Sequence, residues 1–139
     1  MRITKEADYA LRIMLCLSEC ADDVKDAKTM SELLNVPPRF TLKILHKLMT
    51  GKLVKSYKGV NGGYKLNFPP NEITMRQIVE VIDGPLAISR CLDTDYECSH
   101  MTHKKSGCYF HRMFSNINVK LADELEKITL DMALRNEEI

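Results

Sequence analysis

Residues 38–66 read PRFTLKILHKLMTGKLVKSYKGVNGGYKL, and the fold turns on how this stretch is parsed. Its first part has the spacing of a helix running from Pro38 to about Gly51. At about 100° per residue from Arg39, the side chains of Lys43, His46 and Lys47 fall near 40°, 340° and 80°, a single basic face. Leu42, Ile44, Leu45, Leu48 and Met49 occupy roughly 140° to 300°, the face expected to pack. Leu53 to Lys58 and Tyr64 to Leu66 then read as two short strands around Gly59-Val60-Asn61-Gly62-Gly63. Asn-Gly between apolar-alternating runs is the strongest short hairpin signal. A nucleotide-phosphate role for these glycines fails on context, because neither G-x-G-x-x-G nor G-x-x-x-x-G-K-[ST] is present and no helix start follows.

Upstream, Asn35-Val36-Pro37-Pro38 stops one helix and starts another, since a residue before proline avoids the helical region and proline suits a first turn. Thr29-Met30-Ser31-Glu32 has the form of a capping box opening a short helix through Leu33 and Leu34. Earlier still, Ala7, Leu11, Met14, Leu15 and Ser18 recur at helical intervals, predicting a helix from about Lys5 to Cys20, with Cys16 and Cys20 as packing thiols. A short helix, a turn and a second helix with a cationic face is the arrangement that lays a recognition helix in the major groove. A basic hairpin directly after it makes a wing whose glycine-rich tip can approach the sugar-phosphate backbone or the minor groove. The expected fold is mainly α with a small β-hairpin wing. The DNA-contacting candidates are Arg39, Lys43, His46 and Lys47 on the helix and Lys58, Asn61 and Gly62 on the wing.

Net charge taken alone argues against a polyanion partner, since 139 residues carry only +1. The average hides a division. Residues 1–70 hold twelve basic and seven acidic side chains and residues 71–139 hold eight and twelve, so the portions carry +5 and −4. Between Glu32 and Glu72 no acidic residue occurs, while Arg39, Lys43, Lys47, Lys52, Lys55, Lys58 and Lys65 do. Such a one-sign segment is an electrostatic footprint for nucleic acid. The length suits one core and excludes a large catalytic scaffold with an interdomain cleft, and no motif for hydrolysis or phosphate transfer appears; the reading is not an enzyme. The longest apolar run spans only residues 13–17, far below the roughly 20 residues of a membrane span, and acidic residues interrupt the N-terminal stretch. A cytoplasmic location with no membrane partner is expected.

Toward the C-terminus, Phe110, Phe114, Ile117, Leu121, Leu125, Ile128 and Met132 recur at three or four residues beside Asp123, Glu124, Glu126 and Lys127. An apolar stripe on a terminal helix needs a partner, and a twofold interface with a second copy buries it best. The organisation expected is a winged helix-turn-helix domain over residues 1–85, a cysteine-rich loop over 86–109, and a dimerisation helix and tail over 110–139. Within residues 91–111 lie Cys91, Cys98 and Cys108 and His100, His103 and His111. Thiolate and imidazole are ligands for iron-sulfur clusters and zinc. The C-x6-C-x9-C spacing matches no zinc ribbon, which makes zinc the second reading and unliganded thiols the third.

The chain resembles the IscR/NsrR-like winged-helix regulators of the Rrf type. The matching residues are Met1-Arg2-Ile3-Thr4 with Asp8-Tyr9-Ala10-Leu11-Arg12, Leu45-His46-Lys47-Leu48, Gly51-Lys52-Leu53-Val54, the wing block Gly59 to Leu66, Ile73-Thr74 and Ile82-Asp83-Gly84-Pro85. The resemblance implies a homodimeric DNA-binding transcription regulator, usually a repressor, with a long C-terminal helix joining the subunits. It further implies a two-iron or four-iron cluster held by Cys91, Cys98 and Cys108. The fourth ligand it implies is either His111 or Asp8 of the other subunit. The gap of nine residues before Cys108 is longer than is common in the family. The expected partner is a double-stranded operator, an inverted repeat, whose affinity follows redox state, nitric oxide or iron supply. The alternative is the same regulator without a cluster, sensing through thiols, zinc or a protein partner.

Overall fold

The structure is a computed structural model that describes residues 3–20, 22–99 and 107–139. Its centre is helix α1, Lys5–Ser18, whose first turn is capped by Thr4 accepting a hydrogen bond from the Ala7 amide at 3.1 Å. Ala7, Ala10, Ile13, Met14 and Leu17 recur at helical spacing, and all are buried. Against them pack α3 (Pro38–Thr50), α4 (Met75–Asp83) and α6 (Leu130–Leu134), carrying Ile44, Leu45, Leu48, Ile78, Ile82 and Leu130 into the same core. Cys16 is buried and Cys20 half-buried beyond the helix end.

Helix α2, Ala27–Leu34, starts earlier than the Thr29–Glu32 pattern predicts. Its cap is Asp26, whose carboxylate accepts from the Thr29 amide at 2.9 Å and from the Thr29 hydroxyl at 2.6 Å. An aspartate at that place offers two acceptor oxygens to the orphan first-turn donors, so Thr29 becomes a donor inside the first turn. These two bonds hold the Asp26 carboxyl below its ordinary range, the Thr29 hydroxyl contributing most. The box motif occurs instead at α4, Met75–Asp83, where Thr74 and Gln77 exchange both bonds.

The turn between α2 and α3, Pro38–Thr50, is three residues long. Asn35 takes the left-handed conformation at φ 51°, and Val36 buries its side chain under the turn. The Val36 carbonyl accepts from the Ser31 hydroxyl at 2.6 Å. This fixes the angle at which α3 leaves. Thr41, Ile44, Leu45 and Leu48 form the buried face of α3. Leu42, expected on that face, lies at its margin near 300° and is 53% exposed.

Strands β1, Val54–Tyr57, and β2, Gly63–Leu66, pair antiparallel with Val54 opposite Leu66 and Tyr57 opposite Gly63. That register leaves residues 58–62 as the loop, five residues where Asn61-Gly62 alone would make a two-residue turn. Gly59 supplies a positive φ of 108°, and the Gly62 amide donates back to the Gly59 carbonyl at 3.0 Å. A third segment joins the hairpin: the backbones of Lys25 and Tyr64 exchange hydrogen bonds of 3.0 and 2.8 Å. Gly63 permits the approach, since a Cβ there would sit 2.6 Å from the Lys25 carbonyl oxygen.

Helix α5, Tyr109–Lys127, is the longest element. The apolar stripe does not continue along one helix to Met132. The chain extends at Ile128–Thr129, and the Met75 amide donates to the Ile128 carbonyl and the Leu130 amide to the Ile73 carbonyl, each at 2.8 Å. Two β-branched residues favour the extended backbone there, and Thr129 caps a new helix, α6, Leu130–Leu134. Leu130 is thereby 1% exposed in the core of the N-terminal body. On α5 itself only Ala122 is buried, while Tyr109, Phe110, Ile117 and Val119 are exposed. No helix among the described residues is long and apolar enough to cross a membrane.

Candidate nucleic-acid interface and thiol segment

The buried face of α3 turns its opposite face outward, and on it stand Arg39, Lys43 and His46. Lys47 does not stand with them. Its ammonium lies 2.9 Å from Glu6 Oε1 and donates to the Ile82 carbonyl at 3.1 Å, pinning α3 to α1 and to the end of α4. Lys43 donates to the other Glu6 oxygen at 3.1 Å but remains half exposed. The Lys47 ammonium, joined by Lys43, holds the Glu6 carboxyl below the ordinary carboxylate range against the opposing effect of burial. The basic face is therefore graded. Arg39 and His46 have no side-chain ion pair or hydrogen bond within the described residues, Lys43 is shared with Glu6, and Lys47 serves mainly as a brace. The helical spacing could not show this, because Glu6 is far away in sequence.

On the wing, Lys58, Gly59, Val60 and Asn61 are exposed, and Lys55 reaches over the Tyr57 ring at 5.9 Å. Gly62 is half-buried, and a Cβ there would lie 2.3 Å from the Tyr57 carbonyl oxygen. Its first duty is to let the loop close. Lys65 is turned away from the tip and donates to the Asp22 carbonyl at 3.1 Å. The cationic helix face and the wing thus sit on one contiguous body, since β1 packs on α3 and β2 on α1. A helix and a glycine-bearing loop presented together can engage a major groove and its flanking backbone.

The thiol segment joins α4 to α5. Gly84 leaves α4 at φ 86°, and residues 86–88 are then held on α5 by Asn118. Its amide donates to the Leu86 carbonyl at 2.8 Å, and its oxygen accepts from the Ile88 amide at 3.1 Å. The apolar stripe does not single out Asn118; its signal is a polar amide set among the stripe positions Phe114, Ile117 and Leu121. Cys91 follows in a single 3-10 turn, Arg90–Leu92, which packs on α5, with Ser89 Oγ 3.3 Å from its sulfur. Cys108 stands at the N-cap position of α5 without a side-chain cap bond, and His111 lies one turn on, its buried Nδ1 without a hydrogen-bond partner among the described residues. Cys98 is half-buried in the intervening segment.

All five cysteines are free thiols. Three thiols and an imidazole have the donor chemistry of a cluster or a zinc ion. Among the described residues, however, no three Cys, His, Asp or Glu side chains converge on a metal-sized point. Asp8 is on the exposed side of α1, paired with Arg12 at 2.9 Å. His100 and His103 lie outside the described residues.

Comparisons with known proteins agree with this architecture. The model of a family described as "Rrf2: Iron-dependent Transcriptional regulator" matches residues 3–136. A Mycobacterium tuberculosis protein named as an HTH-type transcriptional regulator is 38% identical over 91 residues, 65% of this chain. The matched stretch spans 56% of that relative's own length. The HTH-type transcriptional regulator NsrR of Oceanobacillus iheyensis is 27% identical over 139 residues, 99% of this chain and 92% of its own. Among solved structures, CymR, described as the global cysteine regulator of B. subtilis, superposes with a TM-score of 0.78 over 99% of both chains at 22% identity, a likeness of fold.

Proposed function

The chain belongs to the Rrf2 family of transcription regulators, and on that footing we propose that it binds a double-stranded DNA operator as a homodimer. The observation that carries the reading is the outward face of α3, where Arg39, Lys43 and His46 stand beside the exposed wing residues Lys58 and Asn61. Arg39 and His46 supply donors to base edges, and Lys43 and Lys58 neutralise phosphates. The exposed apolar residues of α5, Phe110, Ile117 and Val119 among them, support a second copy as its partner. Two-fold pairing would present two α3 helices to half-sites about one helical turn apart, hence an inverted repeat. The proposed division is a DNA-binding body over 1–85, a sensor segment over 86–109, and a dimer-forming helix and tail over 110–139. Residues 130–134 return to the body.

The sensor we infer is an iron-sulfur cluster held by Cys91, Cys98 and Cys108, with His111 or Asp8 of the second copy as fourth ligand. What supports it is the family's iron-dependent description, the donor set and the His111 nitrogen, which has no partner among the described residues. Bound there, a cluster supplies electron-transfer and small-molecule chemistry. The chain's own part is to tether Cys91 to α5 through Asn118 and to place Cys108 and His111 on consecutive turns of that helix. The second reading, a regulator without a cluster that senses through thiols, zinc or a protein partner, draws on the free state of the five cysteines.

Anaerobic purification with visible absorption and iron, sulfide and zinc analysis decides between them. Absorption bands with matching iron and sulfide are expected, and a colourless zinc-loaded or metal-free protein sinks the cluster. DNA binding is tested separately by fluorescence anisotropy over a salt series. Lys43→Ala and Lys58→Ala are each expected to weaken binding and lower the salt slope by about 1. Slopes unchanged in both would remove these residues from the interface.

A further inference from the structure

Leu42 is where the helical pattern and the packing disagree, and the disagreement is informative. The side chain lies among the outward residues of α3, one turn beyond Arg39 and one turn before His46, and is 53% exposed. Arg39, Leu42 and His46 follow one another at three- and four-residue spacing, so they form a single ridge along the helix. The opposite flank of the outward face leans on α1, with Lys43 and Lys47 drawn to Glu6. Phe40, the other exposed apolar residue of this helix, is also turned to α1, its ring edge-on to Tyr9 at 6.4 Å. Leu42 therefore stands on the ridge facing away from the body, between two side chains whose polar groups lack partners among the described residues.

We propose that Leu42 is a base-reading residue whose side chain seats against the C5-methyl group of a thymine in the major groove. The assignment rests on the DNA-binding reading above and deepens it. A leucine has no donor or acceptor with which to hold a phosphate or a base edge, and the thymine methyl is the apolar group that major-groove edges offer. Arg39 beside it matches the two acceptors of guanine, so the ridge would specify thymine next to a position read by Arg39. Pattern reasoning counted Leu42 as core and left it out of the interface; its exposure places it in the reading face.

The test uses the full chain, purified anaerobically, and the duplex it selects from a random pool. Each thymine of that duplex is replaced in turn by deoxyuridine, which removes only the methyl, and affinity is read by fluorescence anisotropy at fixed salt. The wild type is expected to lose about fourfold in affinity at one symmetry-related thymine position, the worth of one buried methyl. Leu42→Ala is expected to lose the discrimination at that position, and Leu42→Met to retain it. The proposal is overturned if no thymine position matters to the wild type, or if the penalty persists in Leu42→Ala. Absence of any salt-dependent duplex binding would overturn the proposal together with the reading beneath it, which separates the two failures.

Discussion

Glu6→Gln is the perturbation that most directly probes how α3 is held. The carboxylate stands between Lys43 at 3.1 Å and Lys47 at 2.9 Å, and Lys47 also donates to the Ile82 carbonyl. Glutamine keeps the shape and one acceptor but removes the charge. Half-exposed ion pairs contribute from nothing to about 1 kcal/mol each, and the better shielded Glu6–Lys47 pair sits at the upper end. A total loss of about 1 kcal/mol at neutral pH follows, a fall in Tm of about 3–5 °C at a fixed protomer concentration. The folded-state pKa of Glu6 is depressed, so its stabilisation is full above the ordinary carboxylate pKa and is lost as pH falls through the lower folded value. Urea melts of wild type and variant across a pH series should therefore differ at pH 7 and converge in acid. DNA binding moves the other way, because freeing Lys43 from Glu6 should steepen the salt dependence by up to about one phosphate contact. A stability difference that does not shrink in acid, or a salt slope unchanged in Glu6→Gln, would refute the reasoning.

Asn118→Ala removes both bonds that hold residues 86–88 on α5 and should cost about 1–2 kcal/mol. Its signature is faster amide exchange at Ile88, which Asn118→Asp, still able to accept from that amide, should partly restore. Gly62→Ala places a Cβ against the Tyr57 carbonyl oxygen, so the hairpin must shift. A loss of about 1–3 kcal/mol is expected, with helical circular dichroism intact and DNA affinity reduced. Unchanged affinity would detach the wing from binding. Leu130→Ala should destabilise the whole protein by about 2–4 kcal/mol in a single urea transition, since its side chain lies in the N-terminal core; a separate C-terminal transition would contradict that packing.

How much of this was legible in the sequence depends on the range of the interaction. Elements governed by local chemistry were readable: the periodicity of α1, the proline start of α3, the strands flanking the glycine block. Readings failed where one side chain outcompeted another at close quarters. Asp26 takes the capping role from Thr29 because a carboxylate two oxygens wide satisfies both an amide and a hydroxyl. They are incomplete where a distant residue reaches in. A helical wheel gives Lys47 an angle, but only the fold brings Glu6 and the Ile82 carbonyl to it. The wheel likewise gave Leu42 to the core by drawing the apolar face too wide. The stripe of α5 reads as one helix to Met132 because periodicity does not register the break at Ile128–Thr129, where backbone pairing with residues 73–75 wins.

Contacts of the same long range link the thiol segment to α3. Asn118 ties residues 86–88 to α5, and the same strand of chain leads back through Gly84 to the end of α4. There Asp83 accepts from the Thr4 hydroxyl at 2.5 Å, fastening α4 to the cap of α1. Glu6 begins two residues later and grips Lys43 and Lys47 of α3, while Lys47 closes the circuit on Ile82, the neighbour of Asp83. Thr4, Glu6, Lys47 and Asp83 therefore form one polar knot at which three helices meet, with α3 on one side and the thiol segment leaving on the other. Coupling between two sites requires an element with two arrangements that both sites bias, and adjacency alone does not supply one. The knot supplies the discrete bonds that such arrangements would have to exchange, whereas the closely packed apolar core beneath it, around Ile44, Leu45 and Ile78, resists continuous deformation. If residues 86–92 carry the proposed sensor, the contacts that join them to α3 run along the chain to Asp83, across its bond to Thr4 and on through Glu6.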